Sequence, residues 1–306
     1  MRVLLAASIA AAGAVMVCAQ EPAPLREARP RIVLDVTRVD ILLTVTDKKG
    51  RFVNDLGRDD FEITEDGKPQ KVIGLSTRSE LPLRLAILID ASSSMRDRFR
   101  FVQEAAIDFA TKVMRPGVDK AAVMSFDAGV DHASPMIGET DALARAIREL
   151  RPGGGTSLYD AIYTACMDKL PAEQPLQEYR RAMIVLTDGE DTISHWTRDQ
   201  ALEAAHRSGV VIFAISTNTE RLDTHGDKVL KYLTSETGGL AFFPFKLEDL
   251  GKSFQQLANQ LRNQYSIYYK PDPPKTDGKF HTISVRVKGG SKYIVRARAG
   301  YYAPKL

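Results

Sequence analysis

Four short stretches of the chain are almost continuously apolar: Arg84 to Ile89, Ala121 to Met124, Met183 to Leu186 and Val210 to Ile215. A strand with one wet face alternates apolar and polar residues. These runs do not, so they read as strands buried on both faces. Such strands form a parallel sheet, and a parallel sheet needs a helical crossover between successive strands. The intervening segments supply helical patterns. Val102, Ala105, Ala106, Phe109 and Val113 form one stripe within 97–114, and Leu143, Ala146, Ile147 and Leu150 form another within 139–150. Residues 157–170 and 197–208 read as helices too. Residues 246–263 place Leu247, Leu250, Phe254, Leu257 and Leu261 on one face of a strongly amphipathic helix. The alternation through 84–263 predicts an α/β domain with a doubly wound, mostly parallel sheet.

The pattern is different on either side. In 31–79, Ile41, Leu43 and Val45 alternate with Leu42, Thr44 and Thr46. Asp47 to Gly50 is a turn signal, Phe61 to Thr64 alternates again, and Glu65 to Pro69 is a second turn. In 264–303, Tyr265 to Tyr269, Thr282 to Lys288 and Tyr293 to Ala299 read as strands between Pro-rich and Gly-rich turns. Neither flank has enough strands to be stable alone. The expectation is one β-sandwich built from both, with the α/β domain inserted between its halves. Tyr265, Tyr268, Tyr269, Tyr301 and Tyr302 then read as core and cross-strand packing.

The N-terminus reads as an export signal. Arg2 is followed by an uncharged apolar run, Val3 to Val17, and Val17-Cys18-Ala19 fits cleavage after Ala19. The run is shorter than the ~20 residues of a membrane span. Lipoprotein processing would cut before Cys18, where Val17 replaces the usual small residue. Residues 1–19 are therefore expected to be removed, with 20–30 a Pro-rich flexible leader and no transmembrane span in the mature chain. Cys166 is then the only cysteine, on the apolar face of a helix with Leu158, Ala161, Ile162 and Ala165. It reads as a buried core thiol.

The residues with most chemical content lie at strand ends. Asp90-Ala91-Ser92-Ser93-Ser94 directly follows the first buried strand, and open α/β sheets bind ligands at the carboxyl ends of their strands. A carboxylate with two hydroxyls is a hard oxygen set suited to Mg²⁺, Mn²⁺ or Ca²⁺ rather than zinc. Gly153-Gly154-Gly155-Thr156-Ser157 places Thr156 before a helix, and Thr187-Asp188-Gly189 follows another buried strand. Taken singly, these are also what a helix N-cap rich in Asp and Ser, an ordinary threonine cap and a strand-end turn look like. Their joint occurrence, in this order between correctly interleaved strands and helices, points to one site.

That three-part pattern resembles the metal-ion-dependent adhesion site of von Willebrand factor type A domains. The flanks are similar to an exported bacterial VWFA-related family common in acidobacteria. The similar stretches are Val45-Thr46-Asp47 to Arg51-Phe52-Val53, Asp60-Phe61-Glu62 to Glu65-Asp66-Gly67-Lys68-Pro69-Gln70, and Gly300-Tyr301-Tyr302-Ala303-Pro304. The resemblance implies that Ser92 and Ser94 coordinate a divalent cation through their hydroxyls. It implies that Thr156, Asp90 and Asp188 do so directly or through water. It also implies that one position stays open for an acidic side chain of a protein partner. Ser93 is implied to be a spacer, and Glu190 and Asp191 read as solvated turn residues.

Other functions find less support. The net charge of +3, with 26% charged and 44% apolar residues, is that of a folded protein without the basic excess of a nucleic-acid binder. His132 and His195 lie in segments read as loops with no serine paired to them, and no G-x-S-x-G elbow occurs. There is no H-E-x-x-H and no cysteine pair for zinc. Gly251-Lys252-Ser253 lacks the earlier glycine of a phosphate-binding loop, that position being Lys246. The sequence thus reads as an exported, non-enzymatic protein-binding or adhesion protein in the periplasm, at the cell surface or secreted. The alternative is an envelope scaffold whose β-sandwich is the working part.

Overall fold

The computed structural model describes residues 38–76, 81–172, 178–218, 223–244 and 246–305. The expected signal peptide and leader lie outside the described residues. In chain order the first strands are β1 (Val39–Asp47), β2 (Phe61–Glu65), β3 (Lys68–Gln70) and β4 (Val72–Ser76). The α/β part contains β5 (Leu83–Asp90), β6 (Lys120–Phe126), β7 (Val130–Ala133), β8 (Arg180–Thr187), β9 (Val210–Ser216) and β10 (Ala241–Phe242). Its helices are α1 (Phe99–Val113), α2 (Thr140–Glu149), α3 (Leu158–Thr164), α4 (Arg198–Ser208), α5 (His225–Thr237) and α6 (Leu250–Arg262). The last strands are β11 (Tyr265–Tyr269), β12 (Phe280–Val287), β13 (Tyr293–Ala297) and β14 (Gly300–Tyr302).

The central sheet has the order β10-β9-β8-β5-β6-β7, and all neighbours are parallel except the edge strand β7. Every residue of β5, β8 and β9 is buried, which is why these segments lack polar alternation. Leu85, Ile87 and Ile89 pack against α1, α2 and α6, while Ala86 and Leu88 pack against α3, α4 and α5. From β5 the chain moves to β6 on one side. From β8 it moves to β9 on the other. The β5–β8 boundary is therefore the topological switch point, where a crevice opens at the strands' carboxyl ends.

The flanking segments form two four-stranded sheets, β13-β1-β11-β4 and β14-β12-β2-β3. Ile41, Leu43, Val45, Tyr265, Ile267 and Tyr269 from the first meet Phe61, Ile63, Ile283 and Tyr301 from the second in one core. The sandwich thus draws on both ends of the chain. Ser76 at the end of β4 sits opposite Ser266 at the start of β11, so the chain leaves and re-enters the sandwich on adjacent strands. The fully buried Tyr265 donates its hydroxyl to Val53 O at 2.7 Å and accepts from Leu56 N at 3.2 Å, satisfying its polar end.

Several local expectations need correction. The helix expected over 157–170 is α-helical only to Thr164 and continues as a π-turn over Ala165–Lys169. His132 lies in the edge strand β7, paired in register with Ser125, rather than in a loop. Helix α5 lies in a segment whose apolar residues are too few to mark a helix by periodicity. Gly251–Ser253 lies within α6, with Lys252 paired to Asp249 at 2.8 Å. No helix among the described residues is long and apolar enough to cross a membrane.

Candidate metal centre

Asp90 is the last residue of β5 and is fully buried. Its Oδ1 accepts from Ser92 N at 2.9 Å and its Oδ2 from Thr187 Oγ1 at 2.7 Å. The first bond folds the chain tightly after the strand, bringing Ser92 Oγ to 3.0 Å from Ser94 Oγ. The second bond crosses the switch point from the end of β8. Thr187 Oγ1 also accepts from Gly189 N at 3.1 Å, which turns the chain just after Asp188. Ser92 is buried, Ser93 and Ser94 are exposed, and Asp188 is half-buried.

The glycine-rich loop is fastened to both of these segments. Gly153 N donates to Ala91 O at 2.5 Å and Ser93 N donates to Gly154 O at 3.0 Å. Asp127 Oδ2 accepts from Gly154 N at 3.0 Å, and a Cβ on Gly153 would lie 1.5 Å from that same oxygen. A Cβ there would push the Asp127 carboxylate off Gly154 N. The buried Thr156 donates its N–H to Thr192 Oγ1 at 3.0 Å, and its carbonyl accepts from Thr192 N at 2.9 Å. The three motif segments therefore converge on one crevice. Asp90, Ser92 and Ser94 are joined by their own side chains. Asp188 comes in beside Thr187, and Thr156 is held through its backbone.

Electrostatics single out the two carboxylates. Burial raises the pKa of Asp90, partly offset by the bonds from Thr187 and Ser92, and the charge of Asp188 raises it further. Burial likewise raises that of Asp188, with Glu190 adding repulsion and Arg98 opposing it. Among the described residues, neither carboxylate has a lysine or arginine within salt-bridge distance. Arg98 directs its Nη1 to Thr217 O instead. Two desolvated carboxylates without a cation are costly unless something neutralises them. The donor set fits a hard divalent ion. An octahedral Mg²⁺ with oxygens at about 2.1 Å sets neighbouring ligands about 3 Å apart, close to the Ser92–Ser94 separation.

Residues outside the motif also build this crevice. Thr187 orients Asp90, and Asp127 holds the glycine loop. Glu190 and Asp191 are more than solvated turn residues. Glu190 Oε1 accepts from Gly226 N at 2.9 Å at the start of α5. Asp191 Oδ1 accepts from Ser194 Oγ at 2.6 Å and from Tyr159 N at 3.3 Å. His195, in a segment read as a loop, has its Nδ1 2.9 Å from Asp160 Oδ2. Elsewhere Glu65, Asp66 and His281 form a cluster in the sandwich, where His281 Nδ1 and Nε2 face Asp66 at 2.7 Å and Asp277 at 3.0 Å. Both ring nitrogens meet carboxylates, so this is an ion-pair cluster around an imidazolium.

The class defined here is a doubly wound α/β domain with hydroxyls, one buried carboxylate and one half-buried carboxylate at its switch point. The family model of the von Willebrand factor type A domain matches residues 85–190, within the α/β part of this chain. Proximal thread matrix protein 1 from the mussel byssus, in a structure with a zinc-occupied metal-ion-dependent adhesion site, has a similar fold. It is 20% identical, covering 65% of this chain and 50% of that one, with a TM-score of 0.51. This chain thus spans about half the length of the mussel protein. A von Willebrand factor type A protein from Catenulispora acidiphila is 14% identical, covering 80% and 73% of the two chains with a TM-score of 0.48. An aerotolerance-related membrane protein from Bacteroides fragilis is 18% identical over 58% of this chain and 99% of its own, with a TM-score of 0.46. No curated protein sequence matches the chain.

Proposed function

We propose that this is an exported, non-enzymatic binding protein that recognises a protein partner through a divalent cation. Asp90, Ser92, Ser94, Thr156 and Asp188 hold the ion, Mg²⁺ or else Mn²⁺ or Ca²⁺. The observation that carries this reading is the desolvated Asp90–Asp188 pair, which has no lysine or arginine within salt-bridge distance among the described residues and is bordered by the Ser92 and Ser94 hydroxyls. When bound, the cation supplies residual attraction for one further oxygen ligand. Two protein carboxylates leave room for a third, from an Asp or Glu of the partner. Asp90 and Asp188 provide the charge, Thr187 and Ser92 N fix the Asp90 carboxylate, and the three interlocked loops keep the hydroxyls in place. No bond is made or broken.

The same reading divides the chain into a signal peptide (1–19), a leader (20–30), sandwich segments at 31–79 and 264–303, and the von Willebrand A-type domain at 84–263. The protein then works in the periplasm, at the cell surface or outside the cell, as in the exported bacterial VWFA-related family. Selection of displayed peptides on the full chain, in Mg²⁺ and in EDTA, tests it. Peptides enriched only in Mg²⁺ should carry an Asp or Glu whose replacement by the amide abolishes binding, and Asp90→Asn should abolish it equally. Binding that ignores both EDTA and Asp90→Asn would favour the scaffold reading instead.

A further inference from the structure

At the opposite end of the central sheet from Asp90, a cavity of about 440 Å³ lies between the sheet and the sandwich. The starts of β8 and β9, the end of α4, the start of β1 and residues 301–305 line it. Five arginines and two lysines border it against a single carboxylate, Asp40. Arg38 pairs with Asp40 and Arg207 with Glu203, so their charge is largely spent.

Arg180 and Arg298 differ. Arg180, on the borderline of full burial, gives its hydrogen bonds to Leu81 O, Leu261 O and Gln264 Oε1, all neutral acceptors. Arg298 gives Nη2 to Asp40 O at 2.6 Å, while its Nε is buried without a partner. His206 on the same wall is buried, and its Nε2 is also unpartnered. Burial, and then the charge of Arg298, push its pKa down to about 4. Two guanidiniums without carboxylates and two orphaned buried nitrogens thus border one cavity. A buried cation is costly unless paired, and among the described residues no protein carboxylate pairs with either arginine.

We propose that this cavity is a binding site for a small polyanion, whose phosphate or carboxylate oxygens pair with Arg298 and Arg180 and take a hydrogen bond from His206. The guanidinium fork matches both oxyanions. The volume lies within the roughly 300–1,000 Å³ of small-molecule sites, which favour the seams between domains. The site is remote from the metal centre and independent of the function proposed for it.

Calorimetric titration of pyrophosphate and of citrate into the full chain tests this. EDTA is present so that the metal centre plays no part, and chloride balances the ionic strength. Saturable binding of one probe or both is expected, and the stronger probe identifies phosphate or carboxylate as the natural group. Arg298→Gln should weaken it by about tenfold or more, with Arg298→Lys intermediate and the remote Arg58→Gln unchanged. Hydrogen exchange of the wild-type protein keeps the test decisive if Arg298→Gln fails to fold. The bound probe should protect 206–211 and 299–305. Absence of saturable binding by either probe would overturn the proposal. So would equal affinity in folded Arg298→Gln, or protection confined to other segments.

Discussion

Thr187 and Asp90 end neighbouring parallel strands, and the threonine hydroxyl holds the aspartate carboxylate at 2.7 Å across the switch point of the sheet. The bond fixes which way the deepest carboxylate of the crevice faces. Thr187→Val keeps the shape and removes the hydroxyl, leaving Asp90 Oδ2 and Gly189 N each short of a partner. We expect a stability loss of about 1–3 kcal/mol and a fall in Mg²⁺ affinity of roughly 10–100-fold. Chemical denaturation and calorimetry read the two effects separately.

Asp90→Asn should behave in the opposite way towards stability. The buried carboxylate is disfavoured as an anion, and an amide oxygen can keep the bond from Ser92 N while its NH2 donates to Thr187 Oγ1 in place of the bond that Asp90 accepts there. In EDTA the variant should melt at the wild-type temperature or above it. In Mg²⁺ the wild type should gain stability by mass action and the variant should not. A variant that melts well below wild type in EDTA would show that Asp90 serves the fold rather than an ion.

Gly189 and Gly226 hold the other side of the crevice. Gly189 has φ +85°, and a Cβ there would stand 2.4 Å from Gly226 O. The turn after Asp188 thus rests directly on the start of α5. Gly189→Ala should cost about 1–3 kcal/mol from its backbone angle alone, with the clash adding to that, and should weaken metal binding by displacing Asp188. Thermal melts with and without Mg²⁺ check both effects.

The His281 cluster predicts a pH window for the sandwich. Burial opposes protonation of His281, but its bonds to Asp66 and Asp277 outweigh that and raise its pKa. Its contribution is complete below about 6.5 and is lost as pH rises through the raised value. Asp66 and Asp277 are lowered, Asp66 chiefly by its bond from His281 and Asp277 chiefly by Lys279 N. Their contribution is present above about 3.9 and is lost as pH falls through the lowered values. Lys275 Nζ also lies 3.7 Å from Asp66 Oδ2. The melting-temperature difference between wild type and His281→Asn should therefore be largest between about pH 4 and 6.5 and shrink on either side.

Cys166 is fully buried, and burial pushes its thiol far above the ordinary range. A maleimide should leave the native protein unlabelled and react fully after unfolding in denaturant. Rapid labelling of the native state would contradict the packing of α3 and its π-turn against the sheet.

Much of this architecture is legible in the chain itself. Runs such as Leu85 to Ile89 announce strands covered on both faces, and Ile41, Leu43 and Val45 announce a strand with one core face. The metal motif is local in each of its three pieces. Helix α5 escapes periodicity because few of its residues are apolar. Its signals are the Thr224–Asp227 capping box and the left-handed Gly238 at its end. Strand β10 is only two residues long, too short to leave a pattern. The supporting contacts cannot be read from sequence at all. Thr187 meets Asp90, Asp127 meets Gly154 and His281 meets Asp66 only once distant segments are packed together.

The most direct measurement is calorimetric titration of Mg²⁺ into metal-free protein, beside a variant carrying both Thr156→Ala and Asp188→Ala. The account predicts saturable, one-site binding in the wild type and none in the folded variant. A wild type that binds no Mg²⁺, or a variant that binds it equally well, would contradict the claim that these three loops assemble a metal centre.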